Sequence, residues 1–315
     1  MKKMLFTNKQ IFLFLKILVS ILVITFLLHI ISFSEILNAL VQAKKEYLLL
    51  GFLLLGLNIF LQFKKWHVLV LLEKPHAAKK EIFLSLLAGI TLGFITPGRL
   101  GEFGRSLFIS KTNWTHLFSF ILVDKLLVLL YVVLFGIIGL TYFIKSYFAL
   151  HFWIIISVLA FVLEIILVYY IAKPSKLKKT IKPLTSRYSI VAKMTEGFQK
   201  LNGRVIKKLI LLNLCYYLTF SLQFLFLIAS FHPLPFFKCL IAVFAILIVK
   251  TMFPIAVGDL GVREGATVLF LSHFHTPKAA AFNASLVLFI INILLPSLVG
   301  FLIILKKRAV GFTSK

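Results

Sequence analysis

The chain has 315 residues, of which 61% are hydrophobic and 34 are phenylalanine; soluble globular domains run nearer to about 45–50% apolar. Its 35 Lys and Arg against 10 Asp and Glu leave a net charge of +25, a balance that points to nucleic acid or to a membrane. The basic residues fall between long apolar runs and not on an amphipathic surface, which excludes a soluble nucleic-acid-binding domain and leaves a polytopic membrane protein.

A spanning helix needs about 20 apolar residues. Six segments qualify: 11–31, 47–72, 117–144, 147–172, 209–231 and 279–305. The first follows a basic start and is not followed by a small-x-small cleavage site, so it reads as a retained helix. Two other stretches fall short. The run 82–96 is brief and ends in Pro97-Gly98, and 240–257 is interrupted by Lys250 and Pro254 before Gly258-Asp259-Leu260-Gly261 breaks it. A short apolar arm, 266–271, follows. Both read as re-entrant hairpins, whose irregular backbone is tolerated at membrane depth only inside protein or beside a wet cavity.

Charge placement orients the chain. With the amino terminus in the cytoplasm, 24 of the 35 basic residues fall in inner segments and five in outer loops, so both termini are expected inside. Lys64 and Lys65 count among the inner ones, at the end of the second helix. The stretch 173–208 carries eleven Lys and Arg and reads as a cytoplasmic linker. Whether it lies on anionic headgroups or is only a topology signal stays open.

An internal repeat follows. Gly98-Arg99-Leu100-Gly101 recurs 160 residues later as Gly258-Asp259-Leu260-Gly261, and the flanking helices recur at an offset of 162. Helix–hairpin–helix therefore occurs twice, over 47–144 and 209–305, in opposite senses. Inverted repeats with broken helices near the midplane are a transporter signature, with the binding site at the breaks. The expected fold is an all-α polytopic membrane protein of about six full transmembrane helices plus two re-entrant helical hairpins in an inverted repeat, forming one membrane domain over 1–315.

The tips carry the candidate chemistry. Pro97, Gly98 and Gly101 on the first, with Pro254, Gly258, Gly261 and Gly265 on the second, are expected to make the turns. Half-helix amino termini and arginine together suit an anion such as phosphate. Arg99, Arg105 and Arg263 are the candidate phosphate binders, and Glu102, Asp259 and Glu264 would hold the arginines or carry protons. Asp124 and Lys125 lie inside an apolar run and do not share a helix face, so each is expected to have its own partner, Asp124 with a hairpin arginine. The plainer alternatives are surface loops for the tips and an interfacial pair with Lys125 snorkelling. Glu164 and Lys250 are weaker buried-charge candidates. Asn283 and Asn292 read as interhelical hydrogen bonders; Cys215 and Cys239 read as core packing. His273 and His275 have too few neighbours for a metal site.

A phosphate-binding Gly-x-x-x-x-Gly-Lys loop, a dinucleotide fingerprint and a His-Glu-x-x-His are all absent from the sequence. No cofactor and no metal are expected.

The Pro97-Gly98-Arg99-Leu100-Gly101-Glu102 tip with Arg105, the Asp124-Lys125 pair and the Gly258–Gly265 tip together resemble the flippase-like membrane domain of bacterial lysylphosphatidylglycerol synthases, over about residues 10–305. That domain also occurs as stand-alone proteins. Two positions depart from the family pattern: Lys125 stands where arginine is frequent, and Pro254-Ile255-Ala256-Val257 carries less glycine than usual. The resemblance implies translocation between leaflets of a phospholipid or polyprenyl-linked lipid with a polar headgroup. It does not imply synthesis, because only about ten residues follow the last predicted helix and the soluble aminoacyl-transferring domain is expected to be missing. Substrate contacts are expected at Arg99, Glu102, Arg105, Asp124, Lys125, Asp259, Arg263 and Glu264. The expected partners are anionic membrane lipids and a separate lipid-modifying or glycosyltransferase enzyme, with no nucleic acid; the expected location is the cell membrane. The alternatives are a membrane-embedded lipid-modifying transferase using the same carboxylates as base, disfavoured because the few acids are interleaved with arginine, and an accessory subunit of a lipid or glycan synthase.

Overall fold

A computed structural model of the chain describes residues 31–144 except Pro97, then 189–253 and 260–312, with isolated positions at 25 and between 155 and 169. Every element among them is helical. In chain order these are α1 (Phe33–Val41), α2 (Lys45–Leu71), α3 (Lys79–Ile95), a 3-10 arm (Leu100–Phe108), α4 (Trp114–Ile144), α5 (Ser189–Gln199), α6 (Gly203–Phe231), α7 (Phe236–Met252), α8 (Val262–Ser272) and α9 (Lys278–Phe289). A π turn (Ile290–Leu294) then leads into α10 (Leu295–Phe312).

Among the described residues, four helices are long and apolar enough to cross a membrane: Lys45–Leu71, Trp114–Phe143, Gly203–Phe231 and Lys278–Leu305. At 1.5 Å per residue the shortest of these is ~40 Å long, against a hydrocarbon core of about 30 Å. Only 17–44% of their most apolar stretches is buried against the rest of the protein. The remainder, such as Phe52, Leu53 and Phe60 on α2 and Phe301 and Leu302 on α10, faces outward, as a helix in lipid requires. These four correspond to four of the six spans expected from the sequence; the other two, 11–31 and 147–172, lie for the most part outside the described residues.

Local chemistry sets the element ends. Ser32 caps α1 by accepting from Glu35 N, and Asn202 caps α6 by accepting from Val205 N at 2.9 Å. Pro235 and Pro277 immediately precede α7 and α9, where a missing N–H costs nothing.

The first broken segment doubles back on itself. Thr96 Oγ1 donates to Leu92 O at 2.9 Å and accepts from Gly101 N at 2.6 Å. Gly98 (φ 60°) and Arg99 (φ 57°) are left-handed and turn the chain. The 3-10 arm then lies antiparallel on α3. A Cβ at Gly93 would stand 2.6 Å from Glu102 Cγ, and one at Gly89 would stand 2.7 Å from Arg105 Cβ. Gly101 itself presses on the Leu92 carbonyl. At its open end Ser110 N donates to Glu81 Oε1 at 2.7 Å, while Lys74 Nζ binds Glu81 Oε2 at 2.7 Å. In the second broken segment, α7 and α8 also pack on each other, and Lys238 near the start of α7 sits over the Phe274 ring just past α8, 5.8 Å from its centroid.

Two large hydrophobic cores result among the described residues, besides a small cluster of Ile31, Ile36, Ala279 and Phe282. One joins Trp66 and Leu69 of α2 to Leu86 of α3, Phe120 and Leu127 of α4 and Leu209 of α6. The other joins Tyr131 of α4 to Tyr217 and Phe224 of α6 with α7, α8 and α9. On both α4 and α6 the membership changes part-way along the helix, and the buried charges sit at that seam.

Part of the expected linker is structured. The α5 helix, within the basic 173–208 stretch, docks on the start of α4. Ser119 Oγ donates to Met194 O at 3.0 Å, and a Cβ at Gly197 would stand 2.9 Å from His116 Cα. The free cysteines are Cys239, buried as expected, and Cys215, which is exposed on α6. In a lipid-facing wall an exposed thiol is simply another small apolar group.

Candidate functional site

The 3-10 arm aligns the first tip's charges. Three residues per turn make i and i+3 eclipse, so Arg99, Glu102 and Arg105 form one column. Arg99 Nη2 binds Glu102 Oε1 at 2.6 Å. Glu102 Oε2 pairs with Lys125 Nζ of α4. Arg105 Nη2 lies 3.5 Å from Asp124 Oδ2, and its guanidinium stacks on Trp66, 4.3 Å from the ring centroid. Trp66 is held in turn by donation from its Nε1 to Ser85 Oγ at 2.8 Å.

Adjacent residues on a helix point about 100° apart, and Asp124 and Lys125 accordingly take different partners. Asp124 Oδ1 receives Lys65 Nζ of α2 and Asn213 Nδ2 of α6, each at 3.1 Å. Lys65 Nζ also donates to Asn213 Oδ1 at 2.8 Å and lies 4.2 Å from the Tyr216 ring centroid. Lys65, Glu102, Arg105 and Asp124 are all buried, at 3–6% exposure. Four elements thus converge on one nest of ions, each facing an opposite charge, as burial in a low-dielectric medium demands.

The nest surrounds a polar cavity of about 40 Å³ lined by these charges together with Gln62 and Tyr216. Arg99, Lys125, Val128 and Tyr216 also line a larger cavity of about 310 Å³. There Lys250 and Thr251 of α7 add a cation and a hydroxyl, and Tyr217, Phe220 and Leu247 supply an apolar wall. One end of this space is therefore cationic and the other greasy. A wider groove of about 580 Å³, lined by Lys45 and otherwise by apolar residues such as Leu40, Leu49, Phe52 and Phe231, shares no residue with the nest.

At the second tip Gly261 takes φ 91° and donates its N–H to Glu264 Oε2 at 2.7 Å. Glu264 Oε1 accepts from Arg263 Nη2 at 2.7 Å and from Ser285 Oγ at 2.9 Å, and Arg263 Nε donates to the same Ser285 Oγ at 2.9 Å. Arg263 and Glu264 are 1% and 0% exposed and closed on each other. Phe289 touches both broken segments: its centroid lies 6.0 Å from that of Phe94 and 5.9 Å from the Arg263 guanidinium.

The expected site residues therefore fall into two groups. Arg99, Glu102, Arg105, Asp124 and Lys125 meet in the nest, while Arg263 and Glu264 form a separate buried pair. Asp259, with Pro97, Pro254 and Gly258, lies outside the described residues, as does Glu164. Gly98 and Gly261 occupy the turns. Gly101 serves by close approach to α3. Gly265 is a correction: it lies in the first turn of α8, where a Cβ would meet nothing within 4 Å, because its N–H already continues the helix to Gly261 O at 2.8 Å.

Sequence reasoning missed Lys65, Gln62, Asn213 and Tyr216. It placed Lys65 at the inner rim of its helix, but the residue is buried and its ammonium faces Asp124. The signal was present: Asn58, Gln62 and Lys65 are spaced four and three apart, one stripe of α2. Asn58 Nδ2 and Asn292 Nδ2 both donate to Gln223 Oε1, at 3.3 and 2.9 Å, and Gln62 Nε2 donates to Asn58 Oδ1 at 3.0 Å. Asn283 Nδ2 reaches Ile36 O at 2.9 Å. Both asparagines singled out in the sequence thus tie helices together.

Outside the spans, Glu73 accepts from Lys200 at 2.7 Å and meets His116 Nδ1 at 3.0 Å. Burial pushes its carboxyl up, but the bonds from Lys200 and His116 prevail and hold it below the ordinary range.

The lysylphosphatidylglycerol synthase TM region model matches residues 13–300. The chain belongs to that family. A UPF0104 membrane protein of Methanocaldococcus jannaschii is 24% identical over 317 aligned positions, covering 93% of this chain and 94% of the relative. No solved structure matches. The protein is thus a helical membrane protein, and the match takes in the 3-10 arm, the α4 pair and both broken segments.

Proposed function

We propose that this protein is a lipid flippase or related transporter, which carries the polar headgroup of a phospholipid or polyprenyl-linked lipid between leaflets. The observation that carries the reading is the ion nest inside apolar helices, opening into a cavity that is cationic at one end and aromatic at the other. A phosphate would compete with Glu102 for Arg99 and Lys125, while Asp124 holds Arg105 and Lys65 in place. The acyl or prenyl chain leaves past Phe220 and Leu247 toward lipid. Family membership supports the lipid as cargo.

The two broken segments act as opposed hairpins within an inverted repeat of 47–144 and 209–305. Two contacts support this: Glu81 with Ser110 closes the first at one end of the bundle, and Lys238 with Phe274 closes the second next to the far end of α4, where the Phe143 ring packs at a tilt against Phe274. Arg263 and Glu264 are then the matching half-site, shut in this conformation and opened when the second hairpin moves. In this reading the termini and 173–208 face the cytoplasm of a cell membrane.

The test is reconstitution into liposomes with headgroup-labelled lipids, scoring label lost to a membrane-impermeant quencher. Wild-type protein should equilibrate an anionic lipid. Arg99→Gln and Lys125→Gln should each slow this at least about tenfold, the equivalent of one charge-assisted hydrogen bond. Scrambling no faster than in empty liposomes, for every lipid tried, refutes the transporter reading.

A further inference from the structure

We infer that Gln62 is a specificity-determining residue, oriented so that the site selects a lipid headgroup carrying a hydroxyl beside its phosphate. This rests on the headgroup reading above. A chain of side-chain amides runs from the interior of the bundle to the small cavity. It starts at a group of fixed polarity: the Gly51 carbonyl can only accept, and Gln223 Nε2 donates to it at 2.9 Å. Gln223 Oε1 therefore faces the other way and accepts from Asn58 Nδ2 at 3.3 Å and from Asn292 Nδ2 at 2.9 Å. With its nitrogen engaged, Asn58 presents Oδ1 to Gln62 and accepts from Gln62 Nε2 at 3.0 Å. Asn58 and Gln223 are 1% and 0% exposed, so water does not compete for these bonds, and turning any one amide would set like atoms against each other. The polarity set at Gly51 thus reaches the cavity that Gln62 lines, and leaves Gln62 Oε1 to it.

Arg105, in the same lining, has a buried Nε that donates to no protein atom among the described residues. Glu102 and Asp124 also line the cavity, but cations already engage both carboxylates. The second N–H of Gln62 only adds a donor to a lining of lysines and arginines. What the cavity holds out is one donor, Arg105 Nε, and one neutral acceptor, Gln62 Oε1. A hydroxyl accepts and donates at once and answers both. A methyl answers neither, and an ammonium, which only donates, leaves Arg105 Nε without a partner. One water occupies about 30 Å³ of the liquid, so a cavity of about 40 Å³ admits one group of that size. The phosphate sits next to it, because Arg99, Lys125, Val128 and Tyr216 line this cavity and the one of about 310 Å³ alike.

The experiment uses the full chain in nanodiscs of zwitterionic lipid, titrated with dioctanoyl phosphatidylglycerol, dioctanoyl phosphatidylmethanol and glycerol 3-phosphate. The two lipids carry the same charge and differ in the headgroup hydroxyls. Wild-type protein should bind phosphatidylglycerol at least about fivefold more tightly than phosphatidylmethanol, the worth of one net hydrogen bond. Gln62→Met, which keeps the length of the side chain and removes the acceptor, should bring that ratio to about one. Asn58→Leu, which unties the Gln62 amide and lets it turn, should also lower the ratio, and it carries the test if the first variant does not fold. A ratio of about one in the wild type, with both lipids weakened by Lys125→Gln, overturns the hydroxyl inference and leaves the headgroup site standing. A ratio undiminished in both Gln62→Met and Asn58→Leu overturns the role of Gln62. Affinities that respond to neither Lys125→Gln nor Gln62→Met overturn the headgroup reading as well. Glycerol 3-phosphate competing as well as phosphatidylglycerol overturns the lipid as source of the hydroxyl.

Discussion

Replacing Asp124 by asparagine removes one negative charge from the point where Lys65 and Asn213 approach one carboxylate oxygen at 3.1 Å and Arg105 approaches the other at 3.5 Å. All four side chains are buried, so water cannot take over from the lost charge. Breaking a buried pair by removing one partner costs about 3–5 kcal/mol, a large part of the ~5–15 kcal/mol that holds a typical domain together. An ordinary interhelical hydrogen bond in a membrane protein is worth only ~0.6 kcal/mol. The two mechanisms are therefore separable by size. Reversible unfolding in mixed micelles should show Asp124→Asn destabilised by about 3 kcal/mol or more. Adding Lys65→Met, which withdraws one of the stranded cations, should return about half of that as a coupling energy between contacting residues. A loss below ~1 kcal/mol, or a double variant that is simply additive, would show that the carboxylate does not neutralise Lys65 and Arg105, and the reasoning from the nest would fall with it.

Three further outcomes follow from the same geometry. Gly101→Ala places a methyl against the Leu92 carbonyl and should lift the 3-10 arm off α3, costing ~1–3 kcal/mol with loss of transport; Gly265→Ala, in open space on α8, should be neutral or stabilising by up to ~1 kcal/mol, and the reverse order in a thermal melt contradicts the assignment of the two glycines. The Glu73 carboxyl is depressed in the folded protein, so its contribution is present above the unfolded value near 4.5 and is lost as pH falls through the lower folded value; hydrogen exchange in 189–199 should therefore quicken below about pH 4.5, and Glu73→Gln should show that faster exchange at every pH. Single cysteines at Ser189 and His273, in a background lacking the exposed Cys215, should label from opposite sides of the membrane; labelling from the same side removes the inverted repeat.

Much of this protein was legible in its sequence because lipid is a uniform solvent with a fixed thickness. A run such as 209–231 has to be a spanning helix whatever its neighbours, and Pro97-Gly98 has to end one. A carboxylate at Asp124, inside such a run, has to find a cation, and a nearby arginine is the economical expectation. Which arginine, and which lysine beside it, depends on azimuth and on which helices meet, and a hydropathy window carries neither. Lys64 and Lys65 are neighbours of identical chemistry, yet only Lys65 lies on the stripe with Asn58 and Gln62 that α2 turns toward α6. The column of Arg99, Glu102 and Arg105 exists because the returning arm winds at three residues per turn against glycines at 89 and 93; at 3.6 residues per turn the same three side chains would drift apart around the axis. Composition and spacing determined that charges would be buried and near which breaks. Only the packing of α2, α4, α6 and the 3-10 arm decided their partners, since an ion pair is a property of two surfaces and each segment encodes one.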